Sequence, residues 1–332
     1  MRSGEPASTS NNTITVALAG DTMLGRSVAD RLRVAAPESL VHPDVAAATR
    51  QADLFVLNLE CCVSDRGTKW PRPDKPFYFR APPAAVRMLA HLGVDCVTLA
   101  NNHALDYGEE ALLDTFEDLT AAGIEWVGAG PDVDSARQPV VLESNGFRLA
   151  VIGVTDHPDD FAAGLESPGV AYADLWSEVP SWLVEAVTEV GERADAVLVT
   201  PHWGPNMTPQ PVPHVRRAAR ALVEAGATLV AGHSAHVVHG IEGRVLFDLG
   251  DFLDDYAVDP ELRNDLGLLF LVTLDRAGPL RVEAIPLRLE FCFTRMARGE
   301  EAEWIGRRFR KACAELGTEV TEENGSLVAG LR

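Results

Sequence analysis

Cysteine is scarce in this sequence, with five in 332 residues. Cys61 and Cys62 are adjacent, and the sequence contains no Cys-x-x-Cys pair. The spacing therefore predicts neither a disulfide framework nor a thiolate metal site. Free thiols are typical of a reducing compartment, so we expect a cytoplasmic protein.

Long apolar segments are absent as well. No run approaches the roughly 20 apolar residues that a membrane-spanning helix needs, so we expect no membrane span. Residues 1–12 are polar and rich in Ser and Asn, without the apolar segment of a signal peptide. We expect these residues to form a disordered lead.

Basic residues are too few to balance the acidic ones. The chain carries 49 acidic and 29 basic residues, which gives a net charge of −20. This balance argues against a nucleic-acid partner or an anionic membrane, because both need a basic surface. A small anionic substrate remains compatible with it, since a metal ion or a few arginines can reverse the potential inside a cleft.

The pattern of apolar residues predicts an α/β fold. Apolar residues make up 46% of the sequence, and strand-like runs alternate with amphipathic segments such as 26–34 and 108–122. In the second half, Asn145-Gly146 between two apolar runs predicts a β-hairpin and therefore mixed sheets. We expect one domain over residues 13–295, followed by a C-terminal helix and tail over 296–332 that pack on it or fray from it.

Polar side chains follow five of the predicted strands, at the point where each strand ends. Ligands bind at the carboxyl ends of strands in α/β sheets, and buried polar groups need partners. Carboxylate and imidazole together suit Mn, Fe or Zn, so we predict one or two divalent ions there, with Glu60 as a candidate bridge. The predicted metal ligands are Asp21, Glu60, Asn102, His202, His233 and His236.

Each of these residues also has an ordinary structural interpretation. Asp21 could cap a helix, Glu60 could be a loop carboxylate, and Asn102 could belong to a turn. The histidines could be structural. One at a time, these interpretations are about as good as the functional ones. Together they require five independent accidents at five strand ends, which makes them a poor explanation.

His103 differs from the predicted ligands. It follows Asn102, and Asp106 lies three residues further on, where its carboxylate can orient the imidazole. This arrangement predicts an acid, a base or a charge-stabilising group. The alternative is that His103 caps the helix that begins near Gly108.

Other basic residues are weaker candidates. Arg26, Arg80 and Arg263 could bind an anionic substrate, although a surface role is commoner for any one arginine. The remaining histidines are interpreted as structural or solvent-facing, with His157 the least secure because it follows an apolar run. They are His42, His91, His157, His214 and His239.

Six motifs, in order along residues 14–290, resemble the CapA family. These are the poly-γ-glutamate capsule biosynthesis proteins of the calcineurin-like metallophosphoesterase superfamily. No single motif is decisive, but the ordered set is specific. The motifs are Gly20-Asp21-Thr22-Met23-Leu24-Gly25-Arg26, Asn58-Leu59-Glu60, Ala100-Asn101-Asn102-His103, His202-Trp203-Gly204, Gly232-His233-Ser234-Ala235-His236 and Leu249-Gly250-Asp251-Phe252.

The resemblance implies a four-layer α/β/β/α sandwich of the metallophosphoesterase type, with mixed sheets and a metal centre at one edge. It also implies that His103 is the catalytic histidine. One metal would be held by Asp21, Glu60 and His236. A second would be held by Glu60, Asn102, His202 and His233.

The sequence departs from the family pattern at two motifs. Met23 stands where the superfamily has the histidine of Asp-x-His, and Ser234-Ala235 stands where many relatives have His-Pro. Asp251 could compensate, since many relatives have Asn there. These departures leave open whether one metal or two are bound. Most capsule-type relatives also carry a membrane anchor, which we do not expect in this chain.

We predict a metal-dependent hydrolase that uses a metal-bound hydroxide on a phosphoester or a γ-glutamyl-type amide, with His103 as acid or charge stabiliser and Asp106 behind it. The substrate would be a small anionic or glutamyl-containing molecule. The residues assigned to substrate binding are Arg26, Trp70, Arg72, Lys75, Asn101 and Asp251.

Two other functions are considered. One is a non-catalytic accessory of poly-γ-glutamate or capsule synthesis that binds polymer or partner proteins. The other is nucleophilic catalysis through Cys61, Cys62 or Ser234, which is disfavoured because no Gly-x-Ser-x-Gly motif is present. The sequence predicts no oligomeric state.

Overall fold

A computed structural model describes residues 13–331, so the predicted disordered lead lies outside the described residues. The strands are β1 Ile14–Thr22, β2 Leu54–Leu59, β3 Cys62–Val63, β4 Arg80–Ala81, β5 Cys96–Thr98, β6 Glu125–Val127, β7 Ala129–Gly130, β8 Val140–Ser144, β9 Phe147–Thr155, β10 Gly169–Val170, β11 Ala196–His202, β12 Leu229–Ala231, β13 Ile241–Glu242, β14 Val245–Leu246, β15 Asp251–Leu253, β16 Leu266–Asp275, β17 Gly278–Glu290, β18 Phe293–Met296, β19 Thr321–Glu323 and β20 Ser326–Gly330.

Helices cover the connections between these strands. The α-helices are α1 Arg26–Val34, α2 Pro43–Thr49, α3 Ala85–Leu92, α4 Gly108–Ala122, α5 Val133–Ala136, α6 Ser181–Gly191, α7 Pro213–Glu224 and α8 Glu300–Glu315, and short 3₁₀ helices span Pro37–Leu40 and Asp159–Phe161. Within residues 13–331, no helix combines the length and the apolar character that crossing a bilayer would require.

Two mixed sheets form the centre of the molecule. The larger one has the order β19-β20-β17-β16-β1-β2-β5-β6, with β15 also paired to β1 and β18 to β17. The smaller one has the order β13-β14-β12-β11-β9-β8. In the larger sheet, one half from β1 to β6 is parallel and the other half from β16 to β19 is antiparallel. In the smaller sheet, the middle strands are parallel and β8 and β13 add antiparallel edges. The mixed sheets predicted from the sequence are confirmed.

The side chains of β1 point alternately to two different cores, which shows how the layers stack. Ile14, Val16 and Leu18 belong to the core between the two sheets, whereas Ala17 and Ala19 belong to a core on the opposite face. Residues of α1 to α4 complete that second core, and α6 and α7 cover the outer face of the smaller sheet. Because both faces of each sheet are buried, the layers run helix, sheet, sheet, helix. The expected four-layer α/β/β/α sandwich is confirmed.

The C-terminal segment packs against the two sheets. Ile305 and Phe309 of α8 pack in the core between the sheets. Beyond α8, β19 and β20 form a hairpin, and β20 pairs with β17 at the edge of the larger sheet. Leu327 and Val328 are buried there, which is the physical reason that this segment is ordered.

Parallel strands bring the predicted site residues to one edge. The ends of β1, β2 and β5 lie side by side in the larger sheet, and those of β9, β11 and β12 lie side by side in the smaller sheet. The Asn145-Gly146 hairpin between β8 and β9 forms as predicted, with both residues at positive φ.

Candidate metal centre

Asp21 and Glu60 end two adjacent strands and are fully buried. Asn58 holds them in place, since its Nδ2 donates to Asp21 Oδ1 at 2.7 Å and to Glu60 Oε2 at 3.3 Å. Gly20 lets β1 lie against the segment just before β15, because a Cβ there would lie 1.8 Å from the Gly250 carbonyl oxygen. Two buried carboxylates side by side call for a positive charge between them.

The loop after β12 brings two histidines against Asp21. His233 Nδ1 lies 3.2 Å from Asp21 Oδ1. His236 Nδ1 lies 3.1 Å from Asp21 Oδ2 and 2.8 Å from Asp251 Oδ1. Ser234 and His236 both adopt positive φ, at 106° and 58°. Such conformations are uncommon for residues other than glycine and cluster at functional sites.

Several buried polar atoms at this edge have no hydrogen-bond partner among the described residues. They include both ring nitrogens of His202, Glu60 Oε1, Asn102 Oδ1 and Asp251 Oδ2. Leaving one such atom unsatisfied costs about 1–3 kcal/mol, and a bound ion is a standard way to satisfy it. Oxygen and imidazole donors of this kind fit Mn, Fe or Zn, so these residues could hold a divalent cation.

Two groups of side chains have ligand atoms within 4.8 Å of one another. One is Asp21, His236 and Asp251, and the other is Asp21, Glu60 and His202. Asp21 is therefore the residue common to both, whereas the sequence suggested Glu60. Asp251, which the sequence assigned to substrate binding and also offered as compensation at the metal centre, lies among the candidate metal ligands.

The electrostatics of the buried groups fit a cation site. Burial and the neighbouring Asp21 raise the pKa of the Glu60 carboxyl well above its usual range. Burial acts the same way on Asp21, yet hydrogen bonds from His233 and His236 hold the pKa of Asp21 well below its usual range. Burial lowers the pKa of His202 well below its usual value. Burial therefore favours the neutral ring of His202, which is the form that binds a metal.

His103 forms a pair with Asp106 beside the candidate ligands. His103 Nδ1 lies 2.6 Å from Asp106 Oδ2, and Lys75 Nζ lies 2.9 Å from Asp106 Oδ1. The other ring nitrogen, Nε2, lies 3.9 Å from Glu60 Oε1. Burial lowers the pKa of His103, while Asp106 opposes that shift. The geometry orients the imidazole by one nitrogen and leaves the other facing the centre.

A cavity of about 510 Å³ lies over the centre. Its volume is typical of small-molecule sites. His103, His236 and Asn102 line it, together with Arg26 and Lys75 from the predicted substrate-binding set. The structure thus brings these two basic residues to the same cavity as the predicted catalytic histidine.

Three other residues assigned to substrate binding lie elsewhere. Asn101 is fully buried, and its Nδ2 donates to Asn58 Oδ1 and to the Leu59 carbonyl, both at 2.9 Å. Asn101 therefore ties strand ends together and does not line the cavity over the centre. Trp70 and Arg72 both bond to Asp160, at 3.1 and 2.9 Å. Neither lines the cavity over the centre.

The weaker candidates also lie away from the centre. Arg80 donates to the Arg66 carbonyl, and Arg263 pairs with Asp265. Cys61 is buried, which raises the pKa of its thiol to about 12. A thiol held in that state is a poor nucleophile. Ser234 Oγ is buried and donates to the Gly204 carbonyl at 2.9 Å. These contacts disfavour nucleophilic catalysis by cysteine or serine.

Sequence reasoning missed several residues. Asn58 was noted only as part of a motif, although its position one residue before Leu59-Glu60 was a usable signal. Tyr256 packs its ring against His236, with centroids 5.2 Å apart, and nothing in the pattern indicated it. Asp248 receives the Ala235 and Gly250 N–H groups and so fixes the histidine loop.

A second cavity of about 480 Å³ adjoins the first, sharing Lys75, Pro76 and Asn102. His157 lines it and forms a short hydrogen bond from Nδ1 to Asp156 Oδ1. The His157 ring lies 5.2 Å from that of His202. His157, interpreted from the sequence as structural or solvent-facing, therefore lies beside a candidate metal ligand.

Known sequences match most of this chain. It is 31% identical over 252 residues to the PGA biosynthesis protein CapA of Bacillus subtilis, which covers 74% of this chain and 64% of that protein. It is 30% identical over 296 residues to the probable polyglutamine synthesis accessory protein Rv0574c of Mycobacterium tuberculosis, covering 83% and 76% respectively. The chain thus spans slightly less than two thirds of the Bacillus relative.

Solved structures match at lower similarity. A hypothetical protein from Thermus thermophilus matches at 16% identity with a TM-score of 0.47, covering 83% of this chain and 99% of that one. The sulfate thiohydrolase SoxB of Thermus thermophilus matches at 17% identity with a TM-score of 0.39, covering 61% and 34%.

A family model matches residues 15–256, the part of the chain that supplies the candidate ligands and the His103–Asp106 pair. The model is described as "Bacterial capsule synthesis protein PGA_cap". Together with the relatives at 30% and 31% identity, this match shows that the chain belongs to the PGA_cap family of bacterial capsule synthesis proteins.

Proposed function

We propose that the protein is a metal-dependent hydrolase that acts on a phosphoester or a γ-glutamyl-type amide. The observation that carries this proposal is the set of unpartnered buried donors at one sheet edge. His202 alone has two buried ring nitrogens without a partner among the described residues. A fold has no stabilising reason to bury such atoms together unless an ion satisfies them.

The proposed ligands are Asp21, Glu60, Asn102, His202, His233 and His236, with Asp251 added from the geometry. A divalent cation held by such a set would polarise the substrate and lower the pKa of a bound water. The chain's own residues would then position the reacting groups. Arg26 and Lys75 line the cavity that would receive the substrate.

His103 is proposed to donate a proton to the leaving group or to stabilise its developing charge. Asp106 orients the ring through Nδ1, so that Nε2 faces the cavity side. Lys75 compensates the second oxygen of Asp106, which keeps that buried carboxylate from carrying an unpaired charge. A general acid of this kind contributes about 10²- to 10⁴-fold in rate.

The names of the relatives motivate the choice of bonds. The Bacillus protein is named for PGA biosynthesis and the Mycobacterium protein as a probable accessory of polyglutamine synthesis. A γ-glutamyl amide is therefore one candidate bond, and a phosphoester is the other. A cytoplasmic location and the absence of a nucleic-acid partner remain predictions from the sequence.

The test combines elemental analysis with a panel of phosphoester and γ-glutamyl amide substrates. We expect the purified protein to bind Mn, Fe or Zn and to hydrolyse one substrate class. Glu60→Ala should lower both metal content and rate, whereas His103→Ala should lower the rate alone. Arg80→Ala, distant from the centre, is the control and should change neither.

The opposite results would overturn the proposal. A protein that binds no Mn, Fe or Zn and shows no hydrolysis with added metal is not a metal-dependent hydrolase. If His103→Ala also left cellular function intact while surface substitutions abolished it, a non-catalytic accessory role would replace the proposed one.

A further inference from the structure

The cavity over the candidate metal centre has a mainly apolar wall. Pro76, Phe77, Met207, Tyr256 and Ala257 all line it. Phe77 is 51% exposed although it is a large aromatic residue. An apolar surface of this kind beside polar catalytic groups is typical of a pocket for the apolar part of a ligand.

The charges in this cavity are sparse and balanced. Among the described residues no Asp or Glu lines it, and its only Arg or Lys residues are Arg26 and Lys75. Each is already paired with a buried carboxylate, Arg26 with Asp255 at 3.3 Å and Lys75 with Asp106 at 2.9 Å. Lys75 is almost buried in its pair, whereas the Arg26 side chain is 35% exposed, so Arg26 is the one cation of the two that has surface left for a ligand's anionic group.

Aromatic rings hold the guanidinium of Arg26 at the cavity wall. Its Cζ lies 5.2 Å from the centroid of Phe77 and 5.8 Å from that of Tyr256. The Arg26 side chain is still 35% exposed, so it can reach a ligand. Apolar contact and a single cation are thus offered by the same small group of side chains.

The surroundings disfavour an extended polyanion. The chain as a whole carries a net charge of −20. The adjoining second cavity is lined by the exposed carboxylates of Asp74 and Asp159, and the Arg72 that also lines it is already paired with Asp160. A polymer of carboxylates leaving the first cavity across Lys75 and Pro76 would meet these acidic side chains and be repelled.

We propose that the site takes a small ligand with one anionic group and one aromatic substituent, and not a poly-γ-glutamate chain. The anionic group is recognised beside Arg26, and the ring packs against Phe77, Met207 and Tyr256. This inference rests on the proposed function for its location, and it names the substrate class of that site.

Binding can be measured without turnover by using phosphonates, whose P–C bond resists hydrolysis. Titration calorimetry on the metal-loaded protein would compare phenylphosphonate, methylphosphonate and penta-γ-glutamate. We expect phenylphosphonate to bind at least about tenfold more tightly than either of the others, because its phenyl ring buries apolar surface of the cavity wall that water would otherwise contact. Phe77→Ala should remove most of that preference while leaving methylphosphonate binding unchanged.

Two further variants complete the test. Arg26→Gln should weaken both phosphonates alike. Phe291→Ala is the matched control, because Phe291 is 59% exposed and does not line this cavity, and it should change nothing. Tighter binding of penta-γ-glutamate than of phenylphosphonate, or an unchanged preference in Phe77→Ala, would overturn the inference.

The two proposals can fail separately. If the protein prefers phenylphosphonate but hydrolyses nothing, the inference about the ligand stands and the proposed hydrolase function is overturned. If the protein hydrolyses its substrates but prefers the penta-γ-glutamate chain, the proposed function stands and the inference about the substrate class is overturned.

Discussion

Two aspartate–histidine pairs lie near the candidate metal centre, and they are built differently. In the first pair, His103 and Asp106 are three residues apart after β5. In the second, Asp156 and His157 are adjacent after β9. Both aspartates are buried, and in both pairs the carboxylate engages Nδ1 of the ring.

The second oxygen of each aspartate separates their roles. Asp106 Oδ1 pairs with Lys75, a residue that itself lines the cavity over the centre. Asp156 Oδ2 instead accepts from the Gly204 N–H at 3.0 Å and lies 3.3 Å from His214 Nε2. The first pair is thus connected to the cavity over the candidate metal centre, whereas the second ties β9 to the segment after β11. Similar pairs can therefore have different roles, and we propose catalysis for the first and architecture for the second.

The largest expected difference between the pairs is in rate. His103→Ala should lower kcat by about 10²- to 10⁴-fold, the usual contribution of a positioned acid or base. His157→Ala should cost less than about tenfold, because its Asp156 partner is engaged in structural contacts. Steady-state kinetics on the best substrate of the panel would measure both, with metal content checked in each variant.

The roles assigned to the two pairs would be wrong if the order of the two losses in kcat were reversed. A larger loss of kcat in His157→Ala than in His103→Ala, at equal metal content, would make the second pair the catalytic one. His91→Ala serves as the control for removing a histidine from the helical surface of α3, and it should retain the parental rate.

Sequence reasoning found the first pair because its signal is local. An apolar run that ends in Asn101-Asn102-His103 is visible in the chain, and so is Asp106 one turn later. The role of Asn101 could not be read the same way, because its partners Asn58 and Leu59 lie some 40 residues earlier and meet it only through the pairing of β2 with β5. Position in the sequence does not show which of two neighbouring amides points inward.

Long-range strand pairing also explains why the sequence did not predict that Asp21 is shared between two groups of candidate ligands. Asp21 is shared between two groups of candidate ligands because β15 begins at Asp251, directly beside Asp21 on β1. That pairing joins residues 230 positions apart, which no local pattern indicates. The alternation of strands and helices, by contrast, is local, and the two amphipathic segments predicted over 26–34 and 108–122 are helices with those bounds. The fold class was therefore predictable, but the division of ligands was not.

The second difference between the pairs is in stability. Asp156→Ala should lower the free energy of unfolding by about 1–3 kcal/mol, because the buried Gly204 N–H and the His214 ring lose their acceptor. Urea unfolding followed by circular dichroism would measure it. Asp160→Ala is the matched control: Asp160 is exposed and bonds to the side chains of Trp70 and Arg72, so about 0.5 kcal/mol or less is expected. Equal losses in both variants would remove the architectural role assigned to the second pair.

The smallest expected effect concerns the proton on His103, and it tests whether Lys75 belongs electrostatically to the first pair. Burial lowers the pKa of His103, and the positive charge of Lys75 lowers it further. Lys75→Met removes that repulsion while Asp106 stays in place, so the pKa of His103 should rise and the ring should remain protonated to higher pH. An NMR titration of the imidazole in metal-free protein would report the shift directly. Lys69→Met is the matched control, because the Lys69 ammonium lies over the ring of Tyr78 and not on Asp106, so the His103 titration should not move. A His103 pKa that is unchanged in Lys75→Met would show that Lys75 only fills space beside Asp106, and the two pairs would then differ by their partners' geometry alone.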